Sequence, residues 1–197
     1  MKTNQITSKR ISSSQLYIDA LQENYAKVNV VRVDFGYKKP FSDDITLEDV
    51  NKDLKQMLTN RRSKPSIFKH NIGYEFKREL TEAKGAHIHG FIYFNGHEVK
   101  NDIAKAKQIC NYWNKEITKG RGSAFNCNLN ADKYQYNGIG MIDHTDKEKR
   151  VNLDKAVEYI CKDEQVVKSS DNTKTVAYTR GNMPKKKSNA GRPRNGK

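Results

Sequence analysis

Apolar residues along the chain switch between a helical period and an alternating one, and the switches mark the elements. Residues 1–13 (MKTNQITSKRISS) are polar and Ser/Thr-rich and are expected to be flexible. Ser13 or Ser14 can cap a short helix carrying Leu16, Ile18, Leu21 and Tyr25. The β-branched run from Val28 to Phe35 predicts a strand. Phe41-Ser-Asp-Asp reads as a turn. Thr46 with Asp49 three residues on resembles a capping box, and Leu47, Val50, Leu54, Met57 and Leu58 follow at helical spacing, ending near Asn60 before Pro65.

Strands are expected over 67–76 and 86–94, the second closed by Asn95-Gly96. From Glu98 to about Thr118 the period is helical again, with Ile103, Ala106, Ile109, Cys110, Trp113 and Ile117 on one stripe and Gly120-Arg-Gly122 as the stop. Two shorter strand candidates cover 124–129 and 138–142. Asn152 or Asp154 would cap a last helix carrying Ala156, Val157, Ile160 and Cys161. Strands interleaved with helices through short connections predict an α+β fold, with a central, largely antiparallel sheet flanked by helices. The expected organisation is a flexible segment 1–13, a domain over 14–167 and a basic, disordered tail over 168–197.

Composition changes this picture in one respect. The 197 residues carry a formal charge of +14, and a strongly basic domain most often meets a polyanion, nucleic acid above all. From Lys168 onward nine Lys/Arg stand against one acid, so the tail holds more than half of the excess. Three widely spaced cysteines, Cys110, Cys127 and Cys161, fit neither a disulfide framework nor a CxxC metal site, and read as small buried hydrophobes in a reducing compartment. No apolar run reaches the roughly 20 residues of a membrane span and no signal-peptide pattern opens the sequence. A cytoplasmic protein is expected.

The sharpest chemical feature is Gly85-Ala-His87-Ile-His89-Gly-Phe-Ile-Tyr-Phe94. Residues i and i+2 of a strand share a face, so His87 and His89 project side by side and can hold one divalent metal. An HxH pair also arises by chance on strand surfaces, but this sequence has only five histidines. A third ligand would come from the preceding strand. Glu79 is brought beside the pair if residues 81–84 form a hairpin turn; Glu75 has the alternative register, and Glu82 falls in the turn itself. Two imidazoles and one carboxylate leave positions open for phosphate oxygens. Mg²⁺ or Mn²⁺ would suit such a substrate, and Zn²⁺ would bind the same donors.

The second feature is Glu158-Tyr159-Ile-Cys-Lys162. On a helix Tyr159 and Lys162 share a face, with Val157, Ile160 and Cys161 inward. That arrangement offers a phenol nucleophile with a cation beside it. Free tyrosine, with a pKa of about 10, needs such help at neutral pH. The spacing recurs at Tyr74…Lys77 and Tyr112…Lys115. Tyr74 falls in a strand and Tyr112 borders a core stripe, which leaves Tyr159 as the preferred nucleophile and Tyr112 as its alternative.

Taken together, Arg78-Glu79-Leu80, Gly85, His87-Ile-His89 and the late Tyr159-x-x-Lys162 resemble the HUH endonuclease superfamily of rolling-circle replication initiators, relaxases and transposases. Arg32-Val-Asp34-Phe35, Phe94-Asn95-Gly96 and the Trp113 helix followed by Gly120 look closest to replication proteins of filamentous phages and related phage-derived elements and plasmids. The resemblance covers roughly residues 28–165. It implies a metal site of Glu79, His87 and His89, with Tyr159 attacking a scissile phosphate in single-stranded DNA. The product would be a 5′-phosphotyrosine link and a free 3′-OH that primes replication, and a second transfer would reseal the strand. It further implies DNA contacts from Arg32, an origin read as a single strand or a hairpin, and a bacterial host supplying polymerase. There is no GxxxxGK[ST] phosphate loop, so unwinding would fall to a separate helicase. A relaxase or transposase with the same chemistry, and a non-catalytic DNA-binding regulator, are the alternatives.

Within the tail, Pro184-Lys185-Lys186-Lys187 and Gly191-Arg192-Pro-Arg194 supply further expected DNA contacts. The Gly-Arg-Pro core resembles the minor-groove element of AT-hook peptides; a generic electrostatic arm is the alternative.

Overall fold

The computed structural model of the chain describes residues 2–162 and 177–185. It is an α+β fold whose centre is a six-stranded antiparallel sheet. In chain order the elements are α1 (Lys2–Asn24), β1 (Lys27–Tyr37), α2 (Leu47–Asn60), α3 (Pro65–Phe68), β2 (Asn71–Thr81), β3 (Gly85–Asn95), α4 (Asp102–Tyr112), β4 (Gly122–Asn126), β5 (Gly140–Asp143), α5 (Lys147–Cys161) and β6 (Tyr178–Arg180). The sheet order is β4-β1-β3-β2-β6, and β5 pairs with the opening half of β1, whose closing half pairs with β4.

Alternation along the three central strands divides the core into two layers. Val31, Val33, Phe35, Phe76, Ile88, Ile92 and Phe94 face α2 and α4, where Val50, Leu54, Met57, Ala106 and Ile109 meet them. Val28, Val30, Phe91 and Tyr93 face α1 and α5, packing on Tyr17, Ile18, Leu21, Leu153, Val157 and Ile160. A sheet covered on both faces explains why β1 reads as an unbroken β-branched run. The three cysteines are free and buried. Among the described residues no helix is long and apolar enough to cross a membrane.

Several expected boundaries move. The capping box is formed: Thr46 Oγ1 accepts from Asp49 N at 3.2 Å and Asp49 Oδ2 accepts from Thr46 N at 3.0 Å, so α2 starts where the pattern placed it. The segment expected to be flexible over 1–13 is helical from Lys2, where α1 begins. Ile11 extends the stripe of Ser14, Ile18 and Leu21 onto the core, and Ser13 Oγ accepts from Arg180 Nε at 2.9 Å. The strand expected from Ile67 begins at Asn71, since Pro65 opens a one-turn helix at the position where proline is favoured. The helix expected to continue to Thr118 ends at Tyr112 and passes into a π-helical turn over Trp113–Ile117. The strand candidate over 124–129 starts and stops earlier, because the Asn126 side chain accepts from Asn128 N and opens a 3₁₀ segment, Cys127–Lys133. The last helix is capped by Asp146, which accepts from Lys149 N at 3.0 Å, rather than by Asn152 or Asp154. Its added turns, Lys-Glu-Lys-Arg, carry no apolar period, but Arg150 ties them to Gln22 and Asp19 of α1.

The basic tail is corrected in part as well. Tyr178–Arg180 forms β6 along the edge of β2, with Glu75 opposite Arg180 and Lys77 opposite Tyr178. The domain therefore takes in part of what the charge pattern assigned to a disordered arm. Lys186, Lys187, Arg192 and Arg194 lie outside the described residues.

Candidate metal and nucleophile site

The β2–β3 hairpin builds the site. Its register sets Glu79 opposite His87 and Lys77 opposite His89, and β1 brings Asp34 opposite His89 from the other side. All of these point to the α1/α5 face of the sheet. Glu79 Oε2 lies 3.6 Å from His87 Nε2 and 3.4 Å from His89 Nε2. Candidate ligand atoms of all three residues fall within 4.8 Å of one another.

Each imidazole is oriented through its other nitrogen. His87 Nδ1 is 2.9 Å from the carbonyl of Gly85, which can only accept, so Nδ1 carries the hydrogen and Nε2 turns to the centre. His89 Nδ1 is 2.8 Å from Asp34 Oδ1 and is held the same way. This is the outer support that metal-binding histidines ordinarily have. Gly85 itself sits at φ +65, in the left-handed region, with the Ser42 carbonyl where a Cβ would stand; the turn before His87 requires glycine.

The electrostatics are those of an anionic pocket around two imidazoles. Burial alone would raise the Glu79 carboxyl. Hydrogen bonds to His87 and His89, with the charges of His89 and Lys77, reverse that and hold it far below the usual carboxylate range. Burial likewise opposes the charged form of His89, but the Asp34 and Glu79 carboxylates outweigh it and raise the imidazole to about 9. Asp34 is lowered in turn, because its bond to His89 overcomes its burial. Two nitrogen donors already oriented, and one ionised carboxylate, fit a divalent cation and leave coordination positions for oxygen ligands.

The group lines a cleft of about 600 Å³. Arg32 and Asp34 line it from β1, Thr81 and Lys84 from the hairpin, and Tyr159 and Lys162 from the end of α5. Tyr159 is 66% exposed, so its hydroxyl is available, while Val157, Ile160 and Cys161 are buried as their spacing predicted. Lys162 reaches the same cleft by a different route from the one expected. It is not on the helix but is its extended C-cap, at φ −69 and ψ 141. Its carbonyl accepts from Lys77 Nζ at 2.7 Å, which ties the end of α5 to the strand carrying Glu79.

The alternatives are separated by geometry. Glu75 shares the face of Glu79 but lies farther along β2, wholly buried, where the hydroxyls of Tyr93 and Tyr178 donate to it; burial raises its carboxyl. Tyr112 is buried on the opposite face of the sheet, its hydroxyl accepting from Asn60 Nδ2 and its ring against Phe68. Tyr74 packs on Phe76. Arg32 is mostly buried, its guanidinium 4.7 Å from the Tyr134 ring centroid and 5.5 Å from that of Phe91, and its Nε has no hydrogen-bond partner. Lys185 is exposed.

Sequence reasoning did not single out Asp34 as a site residue, although a carboxylate inside a β-branched run was a usable signal. It also passed over Tyr134 and Tyr136, which line the cleft from an irregular segment with no periodicity to read. Comparison with curated proteins and comparison with solved structures each returned no match. The family model of the YagK/YfjJ C-terminal domain matches residues 1–178, from α1 to the first residue of β6. Since that is most of its length, the chain belongs to the YagK/YfjJ C-terminal domain family.

Proposed function

We propose that this protein is a metal-dependent enzyme of the HUH type that nicks and rejoins single-stranded DNA to initiate rolling-circle replication. The observation that carries this reading is one cleft lined by Glu79, His87 and His89 and also by Tyr159 and Lys162. A metal triad beside an exposed tyrosine and a lysine is what phosphoryl transfer to a phenol needs.

In this mechanism Glu79, His87 and His89 hold Mg²⁺ or Mn²⁺, which when bound draws charge from the scissile phosphate. Asp34 and the Gly85 carbonyl keep both imidazoles turned to the centre. Lys162 supplies a cation beside the transferring phosphoryl group. The Tyr159 oxygen forms a bond to phosphorus as the bond from phosphorus to the 3′ oxygen breaks. The phenol proton passes to solvent, and the leaving oxygen takes up a proton to become the free 3′-OH. The reverse transfer from the phosphotyrosine to a 3′-OH rejoins the strand and regenerates Tyr159. Arg32 and the basic tail residues Lys185, Lys186, Lys187, Arg192 and Arg194 would meet the phosphate backbone, and a separate helicase and polymerase would extend the freed end.

The test is a denaturing gel of protein mixed with labelled single-stranded DNA and Mn²⁺. A DNA-linked protein band is expected for wild type with metal, and none in EDTA or for Tyr159→Phe. A band that persists in Tyr159→Phe would move the nucleophile elsewhere, and full activity in His87→Ala would remove the metal from the mechanism.

A further inference from the structure

Part of the cleft lining carries aromatic chemistry that the transfer reaction does not use. Residues 134–136, Tyr-Gln-Tyr, line the cleft between the 3₁₀ segment Cys127–Lys133 and β5. Each tyrosine is matched with a cation. The Arg32 guanidinium lies 4.7 Å from the Tyr134 ring, and Lys155 Nζ lies 4.9 Å from the Tyr136 ring. The two differ in exposure: Tyr134 is half-buried, whereas Tyr136 is 36% exposed and open to the cleft.

The segment is held firmly enough to act as a platform. A Cβ at Gly138 would collide with the Leu153 backbone, so only glycine lets this loop close onto α5. Tyr134 N is bonded to the Ala131 carbonyl and Gly138 N to that of Tyr136. Along α5, Lys155 precedes Tyr159 by four residues, hence the two share a face about one turn apart, with about 6 Å of rise. That step is comparable with the distance between neighbouring nucleotides, about 3.4 Å when stacked and longer when splayed. A strand with one phosphate at Tyr159 would therefore bring an adjacent nucleotide to Tyr136.

An exposed aromatic ring beside cations is the composition that takes an unpaired base on its π-face and the flanking phosphate on the charge. Arg32 lines the same cleft, its guanidinium over the Tyr134 ring and its Nε 3.8 Å from Asp34 Oδ1, which sets a second cation at the cleft wall. We infer that Tyr136, with Lys155 and Arg32, forms a subsite for one unpaired DNA nucleotide next to the scissile phosphate. Tyr136 stacks on its base, and the two cations hold its phosphates. A paired base keeps its faces inside the duplex and is refused, so the subsite makes the enzyme selective for a single strand. This inference rests on the reading that the cleft takes DNA.

The test measures binding in EDTA, where no cleavage intervenes. Fluorescence anisotropy would compare a labelled oligothymidylate with an abasic phosphodiester strand of equal length. Wild type is expected to prefer the base-bearing strand roughly tenfold. Tyr136→Ala should abolish that preference, Tyr136→Trp should keep it, and Lys155→Gln should weaken both strands alike. Equal affinity of wild type for the two strands, or an undiminished preference in Tyr136→Ala, would overturn the subsite. Adduct formation by wild type alongside either of those results would leave the nicking reaction standing without the subsite. A base preference lost in Tyr136→Ala, with no adduct from any strand, would establish the subsite and reject the nickase. Absence of binding to either strand would overturn both.

Discussion

His89 Nδ1 lies 2.8 Å from Asp34 Oδ1, a contact made across the pairing of β3 with β1. It fixes which imidazole nitrogen faces Glu79, and it places a negative charge behind a candidate metal ligand. Replacing the carboxylate by its neutral isostere removes the charge and lets the amide present a donor where an acceptor is needed. Asp34→Asn should therefore lower affinity for Mn²⁺ by about 10–100-fold, the usual cost of losing such support. Isothermal titration with Mn²⁺ reads this directly, and an unchanged dissociation constant would show that Asp34 serves packing alone.

The same cluster predicts how the metal-free protein responds to pH. His89 is raised from 6.5 to about 9 by the two carboxylates beside it. A raised imidazole contributes stability that is full below its unfolded value and is lost as pH rises through its folded value. In EDTA the Tm should therefore decline between pH 6.5 and about 9. The shift is worth on the order of 3 kcal/mol, counted once because the lowered Glu79 and raised His89 describe one interaction. With Mn²⁺ the trend should reverse in sign, since the cation competes with that proton and gains as pH rises. Thermal melts across this range, with and without Mn²⁺, check both halves. A Tm in EDTA that does not move with pH would mean that the imidazole and its carboxylates do not interact as their distances imply.

Legibility in the sequence followed how local the cause was. The pairing of His87 with His89 depends only on strand parity and could be derived before any coordinates, whereas Glu79 and Glu75 stayed alternatives until the β2–β3 register set Glu79 opposite His87. The α2 start was equally local, because Thr46 and Asp49 satisfy each other within one turn. What escaped depended on distant partners. The first turns of α1 carry polar residues of modest helix propensity, and their order comes from Ile11 on the core and Ser13 against Arg180. Strand β6 is three residues in a charged stretch, recruited by the edge of β2 and by Tyr178 donating to buried Glu75. Tyr136 lines the cleft next to Gly138, which closes on the backbone of α5, and no periodicity announces that approach.

Lys77 is fully buried on β2, two residues from both Glu75 and Glu79, and its Nζ donates to the Lys162 carbonyl at 2.7 Å. A buried ammonium is tolerated only where acceptors and opposite charge surround it. Here it lowers Glu79 and caps the C-terminal end of α5, the negative pole of that helix. Lys77→Met keeps the length of the chain but removes the charge. It leaves the Lys162 carbonyl without this donor and the carboxylates of buried Glu75 and half-buried Glu79 without this cation. Breaking a buried charged contact in this way should destabilise the fold by about 3–5 kcal/mol. Urea unfolding should show a lower midpoint with an unchanged slope. Because the contact also ties the end of α5 that carries Tyr159 to the strand that carries the candidate ligand Glu79, the proposed adduct formation should fall about 100-fold under conditions where the variant remains folded. A variant that unfolds like wild type, or one that loses stability yet forms the adduct at the wild-type rate, would show that α5 is positioned by its apolar face alone.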